Sequence, residues 1–306
     1  MLSVCLYLHA HQPYRVKRYR VFDIGKDHQY FTCQDDSDLN NQKILKKVAE
    51  KSLRPTNALL LSLLERHPEF KVSFSLSGTL LDQLASYAPD VLDSFRTLVA
   101  TGRCEMIADT FYHSLSFFYS RSEFEKQVNL HTERINKEFG VTPRVFRNTE
   151  LSYTNDLAVW AEKRGFLGVL TEGWEGVLGE RSPAFLYRPK GCKTLKLLLK
   201  HYRLSDDIAF RFSERSWSEW PLNADTFAFW VHKHHGNGET VNLFMDYETF
   251  GEHQWKETGI FDFLNALPKA ILSHPNTTFV TPTEILLSKE PVGELDVPHV
   301  LSWADT

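Results

Sequence analysis

A chain of 306 residues, 42% of them hydrophobic, is long enough to bury one large α/β core, and no Pro/Gly/Ser-rich linker divides it. Its charges nearly balance, 35 basic against 39 acidic, and a net charge of −4 gives no reason to expect nucleic acid as a partner. Cys5, Cys33, Cys104 and Cys192 form no C-x-x-C pair, no apolar run approaches a membrane span, and the start lacks a basic n-region; a zinc knuckle, a dense disulfide framework and a signal peptide are therefore not expected, and the reading is an intracellular, cytoplasmic chain with reduced, mostly buried thiols.

Short apolar runs alternate with amphipathic stretches along nearly the whole length. The first strand is expected at 3–10 (SVCLYLHA), followed by a helical pattern in NALLLSLLERHP, then strands at 71–77 (KVSFSLS) and 104–109 (CEMIAD). A helix over SEFEKQVNLHTERINKEFG is stopped by Gly140. The strand at 144–150 (RVFRNTE) leads into a helix over TNDLAVWAEKRG, with Thr154 or Asn155 as its N-cap and Gly165 as its stop. Further strands are expected at 167–172, 195–200, 241–247 and 278–282, while HKHH at 232–235 suits a helix C-terminus.

This alternation implies parallel βαβ units, and seven or eight such strands suggest a barrel rather than an open sheet. In a parallel barrel the working residues lie at the carboxyl ends of the strands. Those ends supply His9 and His11, Ser77, Asp109, Glu150, Glu172, His201, and Asp246 with Glu248.

Asp246 and Glu248 follow the apolar run Val241, Leu243, Phe244 and Met245, which reads as a strand covered on both faces. Two acids at the end of a buried strand are costly unless they are hydrogen-bonded or used. Glu150 ends another strand, and Arg147 with Asn148 just before it are placed to orient a carboxylate. One carboxylate from each of two strands is what glycoside hydrolysis requires. His9 with His11, and His113, suit either metal ligation or recognition of sugar hydroxyls. Aromatic residues make up 13% of the chain, and those in DTFYHSLSFFYS and ERSWSEWPL sit among polar neighbours, where rings can stack on sugars.

Taken together these segments resemble glycoside hydrolase family 57, in its α-amylase-like branch. The resemblance rests on His11-Gln12-Pro13, on GRCEMIADTFYHSL at 102–115 with Glu105 and His113, on FRNTELSYTNDLA at 146–158 and on FMDYETFGEHQ at 244–254, with RLSDDIAFRF at 203–212 in support. It implies a (β/α)7 barrel over residues 1–290 that acts on α-glucosidic bonds of starch- or glycogen-like glucans with retention, without a cofactor or catalytic metal. Glu150 corresponds to the nucleophile and Asp246 to the general acid/base, with carboxyl groups about 5 to 5.5 Å apart. His11, Gln12, Glu105, His113 and Glu248 are then expected to bind hydroxyls or orient the acids, and Trp217, Trp220 and Trp255 to stack on substrate. Many members continue into a helical C-terminal region, so 291–306, ending in LSWADT, is expected to be an extension that begins or replaces it.

Two other classes compete. A metal-dependent polysaccharide deacetylase needs His9, His11, Asp109 or Asp246 to converge on one ion. A glucan-binding relative without turnover needs only the aromatics.

Overall fold

The computed structural model describes residues 1–33, 35 and 38–305. Among the described residues there are ten strands: β1 Leu2–Ala10, β2 Val72–Leu76, β3 Cys104–Met106, β4 Val145–Arg147, β5 Gly168–Glu172, β6 Arg188–Pro189, β7 Lys196–Lys200, β8 Thr240–Asp246, β9 Thr277–Phe279 and β10 Glu294–Leu295. Each of the eight expected strand stretches overlaps one of them.

Seven strands form a ring. Parallel ladders join β8 to β1, β1 to β2 and β2 to β3, and separately β4 to β5 and β5 to β7. The two remaining joins are narrower. Ala108 bridges to Phe146 between β3 and β4, while between β7 and β8 the His201 N–H donates to Asn242 O at 2.8 Å and Asn242 Nδ2 donates to Leu199 O at 2.8 Å. The order β1-β2-β3-β4-β5-β7-β8 thus returns to β1 as a (β/α)7 barrel, with β9 against the first residues of β1 and β6 paired with β10 outside it. The regular part of β4 is shorter than expected because the chain enters a 3-10 turn at Thr149–Leu151 just past it, and beyond Met106 β3 is continued only by the isolated Ala108–Phe146 bridge.

Helices pack outside this ring: α1 Asn41–Val48 and α2 Arg54–Arg66, joined by a π-helical segment Ala49–Leu53, then α3 Gly78–Tyr87, α4 Pro89–Ala100, α5 Arg121–Phe139, α6 Asn155–Lys163, α7 Glu175–Leu178, α8 Tyr202–Ala209, α9 Ala224–His232, α10 Ile260–Ile271 and α11 Pro282–Ser288. Ser120 caps α5 by accepting from Glu123 N, and Gly140 ends it in the left-handed conformation. Among the described residues no helix is long and apolar enough to cross a membrane.

Strand alternation separates two kinds of core. Outward residues such as Leu6, Leu8, Leu243 and Met245 pack under the helices. Inward residues Cys5, Tyr7, Val145, Leu170, Leu198 and Phe244 fill the barrel itself. Each buried side chain of this size stabilises the fold by about 1.5–3 kcal/mol relative to exposure. Continuing the same inward parity toward the carboxyl ends reaches His9, Arg147, Glu172, Lys200 and Asp246. The filling of the barrel therefore changes from apolar to polar at its mouth.

Residues 291–305 lie back against the barrel. Leu301 bridges to Tyr153, and the Val297 N–H donates to Asn155 Oδ1 at 2.9 Å. This brings the C-terminal segment over the turn that carries Glu150.

Candidate active site

The mouth is built around neighbouring strands in register. His9 and Asp246 are paired positions of β1 and β8, so the two side chains rise from the barrel at the same level. Glu150 comes from the turn after β4, where its backbone adopts φ 58° and Leu151 follows at φ 51°. Left-handed geometry at two successive non-glycine residues is strained and persists where surrounding contacts over-determine it. Such contacts surround Glu150: the Ser302 hydroxyl donates to Glu150 O at 2.9 Å, and both carboxylate oxygens are engaged. His113 Nε2 lies 2.7 Å from Oε1, and Trp303 Nε1 donates to Oε2 at 2.6 Å.

These two donors favour the charged carboxylate. The His113 bond first, aided by Trp303 and the Arg147 charge against partial burial, holds the Glu150 pKa down at about 2. His113 itself adopts φ 52° and stacks on His11 with ring centroids 4.1 Å apart. Its Nδ1 is 3.2 Å from His9 Nε2, and His9 Nδ1 is 2.7 Å from Ser75 Oγ, which is 2.6 Å from the Tyr7 hydroxyl. A hydrogen-bonded line thus runs from the barrel interior to Glu150.

Asp246 stands in the opposite electrostatic situation. Burial pushes its pKa up, with Arg147 and His253 opposing and Glu150 adding to the rise. Glu248 lies in the 3-10 turn after β8, accepts from the His11 N–H at 3.3 Å, and is pushed by burial and then by Asp246 to about 8. His9 and His11 are driven below the usual imidazole range, chiefly by burial, His11 to about 3. Burial favours the neutral form of both; His9 has each ring nitrogen engaged, by Ser75 and by His113, whereas part-exposed His11 uses Nδ1 on Ser77 Oγ and keeps Nε2 for a hydroxyl group.

Glu150, Asp246, His253, Lys200, Phe210 and Trp303 face one cavity of about 290 Å³. Lys200 is almost fully buried and bonds Asp206 Oδ1 at 3.0 Å and Glu172 Oε2 at 3.1 Å. The strand-end acid Glu172 is therefore committed to an ion pair, and His201 caps α8 by accepting from Leu204 N.

Other expected residues lie elsewhere. Glu105 has the inward parity of Asp109 but sits four residues lower, where Oε1 accepts from the Thr283 hydroxyl and Oε2 from the Thr283 N–H at the start of α11. It closes the opposite end of the barrel and does not reach the mouth. Arg147 does not hydrogen-bond Glu150; its Nη1 donates to Asp109 Oδ2 at 3.0 Å, both groups fully buried, and its effect on Glu150 is by charge through space. Asn148 turns back on the Ser152 hydroxyl and carbonyl. The Gln12 side chain hydrogen-bonds Glu248 and partly opposes the rise in its pKa. Trp217 packs against Trp230 and the outer core, Trp220 is part-exposed ahead of a cis Pro221, and Trp255 faces a separate groove. None of the three tryptophans lines the cavity. The indole that does, Trp303, lies beyond the stretch read as catalytic, and the sequence carries no periodic signal for it. Lys200 had one: a lysine ending the buried run LKLLLK on inward parity.

Donor atoms of His9, Asp109 and His113 lie within 4.8 Å of one another, a set that could hold a divalent ion. Arg147 already places a positive charge on Asp109, and His113 Nε2 is directed to Glu150.

A parallel barrel gathering separated carboxylates, neutral imidazoles and an indole at its carboxyl mouth has the architecture of a carbohydrate-active barrel. Comparison with known proteins gives the family: the chain belongs to Glycosyl hydrolase family 57, matched over residues 5–298. It is 43% identical over 301 residues to a protein of Methanocaldococcus jannaschii named "Putative alpha-amylase", covering 97% of this chain and 62% of that protein. In structure it is similar to the 4-alpha-glucanotransferase of Thermococcus litoralis, with a TM-score of 0.75 at 19% identity over 99% of this chain and 42% of that one. It is also similar to the structure of a Mycobacterium smegmatis protein named "putative polysaccharide deacetylase", with a TM-score of 0.60 at 12% identity over 94% of this chain and 89% of that one. The chain thus spans 62% and 42% of the lengths of the first two relatives.

Proposed function

We propose that this chain cleaves or transfers α-glucosidic bonds of starch- or glycogen-like glucans with retention, with Glu150 as nucleophile and Asp246 as general acid/base. One observation carries the reading: two carboxyl groups facing the same cavity have their pKa values pushed in opposite directions, Glu150 down and Asp246 up. That division supplies an ionised nucleophile and a protonated acid at the same pH. Glu150 attacks the anomeric carbon as Asp246 gives its proton to the departing glycosidic oxygen; the Asp246 carboxylate then takes a proton from water or a sugar hydroxyl, whose oxygen displaces Glu150. His113 and Trp303 hold the attacking carboxylate, and part-exposed His11, stacked on His113, meets sugar hydroxyls. Names of the family relatives, an α-amylase and a 4-α-glucanotransferase, support the substrate class.

Incubation with maltoheptaose and chelator, with products resolved beside Glu150→Gln, tests this. Shorter and longer oligosaccharides from the wild type alone identify transfer, and shorter ones alone identify hydrolysis. A second reading, metal-dependent deacetylation, is favoured by the His9, Asp109 and His113 donor set. No product from maltoheptaose, together with acetate released from an acetylated oligosaccharide that is lost in chelator and restored by zinc, would replace the first reading by the second.

A further inference from the structure

Trp255 is 60% exposed, on a segment anchored at Phe250 and Glu252 to the first two helices. The segment carrying it leaves β8, passes Gly251 and is seated on the π-helical turn between α1 and α2. Gly251 has φ 105°, and a Cβ there would lie 2.0 Å from Lys51 O, so only glycine permits this approach. The Thr56 hydroxyl donates to Phe250 O, and Lys47 bonds Glu252 at 2.7 Å. Across this anchored segment, His253 faces the catalytic cavity while Trp255, two residues on, faces an open groove of about 780 Å³ between α2 and α10. Lys51 Nζ lies 5.8 Å from the indole centroid.

The geometry points to a second saccharide-binding site in this groove, one that holds a strand of polymeric α-glucan outside the catalytic cavity; this rests on the glucan reading above. The groove offers Trp255 and Phe261 as rings, Asn265 as amide, and Glu50, Lys51 and Asp262 as charged groups of both signs. An apolar helix finds its face interrupted by charge here, and a polyanion meets carboxylates. A pyranose ring has a C–H face that lies on an indole and a rim of hydroxyls that both donate and accept, which matches this mixture. The π-helical seat fits the same picture, since such bulges occur frequently at functional sites.

The test is retardation of the full chain in gels containing glycogen, together with KM for glycogen and for maltoheptaose, in wild type, Trp255→Ala and Trp255→Phe. The expected result is at least a five-fold loss of glycogen affinity and a matching rise in glycogen KM for Trp255→Ala. Maltoheptaose kinetics should hold within two-fold, and the phenylalanine variant should recover much of the loss. Unchanged retardation in Trp255→Ala overturns the proposal, as does a wild type that turns over maltoheptaose but is not retarded by glycogen. Should maltoheptaose kcat fall together with glycogen affinity, Trp255 would belong to the catalytic cavity and the separate site would be refuted. A wild type neither retarded nor active on either glucan overturns the glucan reading itself, and this site with it.

Discussion

His113 and Glu150 meet at 2.7 Å although neither residue adopts ordinary backbone geometry: both are held at positive φ, 52° and 58°. Strain on both sides of one hydrogen bond is maintained by the stacked histidines behind His113 and by residues 301–303 over Glu150. The bond therefore arrives preformed, with Nε2 of His113 donating to a carboxylate, and it fixes the direction from which Glu150 faces the cavity.

Replacing either acid should remove turnover without unfolding the chain. Asp246→Asn loses proton transfer and is expected to slow glucan cleavage by about 10²–10⁴-fold. Glu150→Gln loses the attacking group and should fall by about three orders of magnitude or more. Steady-state rates on maltoheptaose, with circular dichroism to confirm the fold, check both. Near-wild-type rates in either variant would refute its assigned role.

The donors around Glu150 should be visible in the pH profile. With the Glu150 pKa held at about 2, the nucleophile stays ionised far into acid. Removing a donor weakens the charged form and raises that pKa, so the acid limb of kcat/KM moves to higher pH. The larger shift is expected for His113→Ala and a smaller one for Trp303→Phe, which keeps a ring but lacks the N–H. An acid limb that stays put in both variants would assign it to another group.

Most of the frame and part of this site were legible in sequence, and the division has a physical cause. Period-two and period-3.6 patterns follow from burial along one strand or helix, so all eight strand stretches and the acids at their ends could be read. Parity alone does not give height within the barrel: Glu105, expected near the acids from the resemblance, shares the inward parity of Asp109 but sits at a different level. Trp303 reaches Glu150 across 153 positions of sequence, through a loop with no periodicity. Such contacts are fixed by tertiary packing, and so are the destinations of Trp217, Trp220 and Trp255.

Arg147 and Asp109 form an ion pair with neither side chain exposed. Taking both charges from water is expensive, and removal of one partner leaves the other buried without compensation. Arg147→Met should therefore destabilise the chain by about 3–5 kcal/mol. Urea unfolding of the single variant and of Arg147→Met with Asp109→Asn separates the pair from simple packing, because the double variant should recover part of the loss. Equal stabilities for the single and double variants would show that the pair is not the source.

Glu248 makes a stability prediction of opposite sign to the familiar paired carboxylate. Its folded pKa is raised from 4.5 to about 8. Below pH 4.5 folded and unfolded chains both carry the proton, and this group does not oppose folding. Between 4.5 and 8 the unfolded carboxyl ionises while the folded one keeps its proton, so stability from this group is lost progressively as pH rises. His9 and His11, held neutral by burial, act in the other direction over the acid range, and Asp246 acts in the same direction as Glu248. The readout is therefore the difference between wild type and Glu248→Gln, whose amide oxygen can still accept from the His11 N–H. The variant should gain on the wild type between pH 5 and pH 8, by an amount on the order of a few kcal/mol. Parallel stability curves over that interval would mean that Glu248 is ionised in the folded chain, and its carboxylate would then be available as a base beside Asp246 rather than as a buried acid.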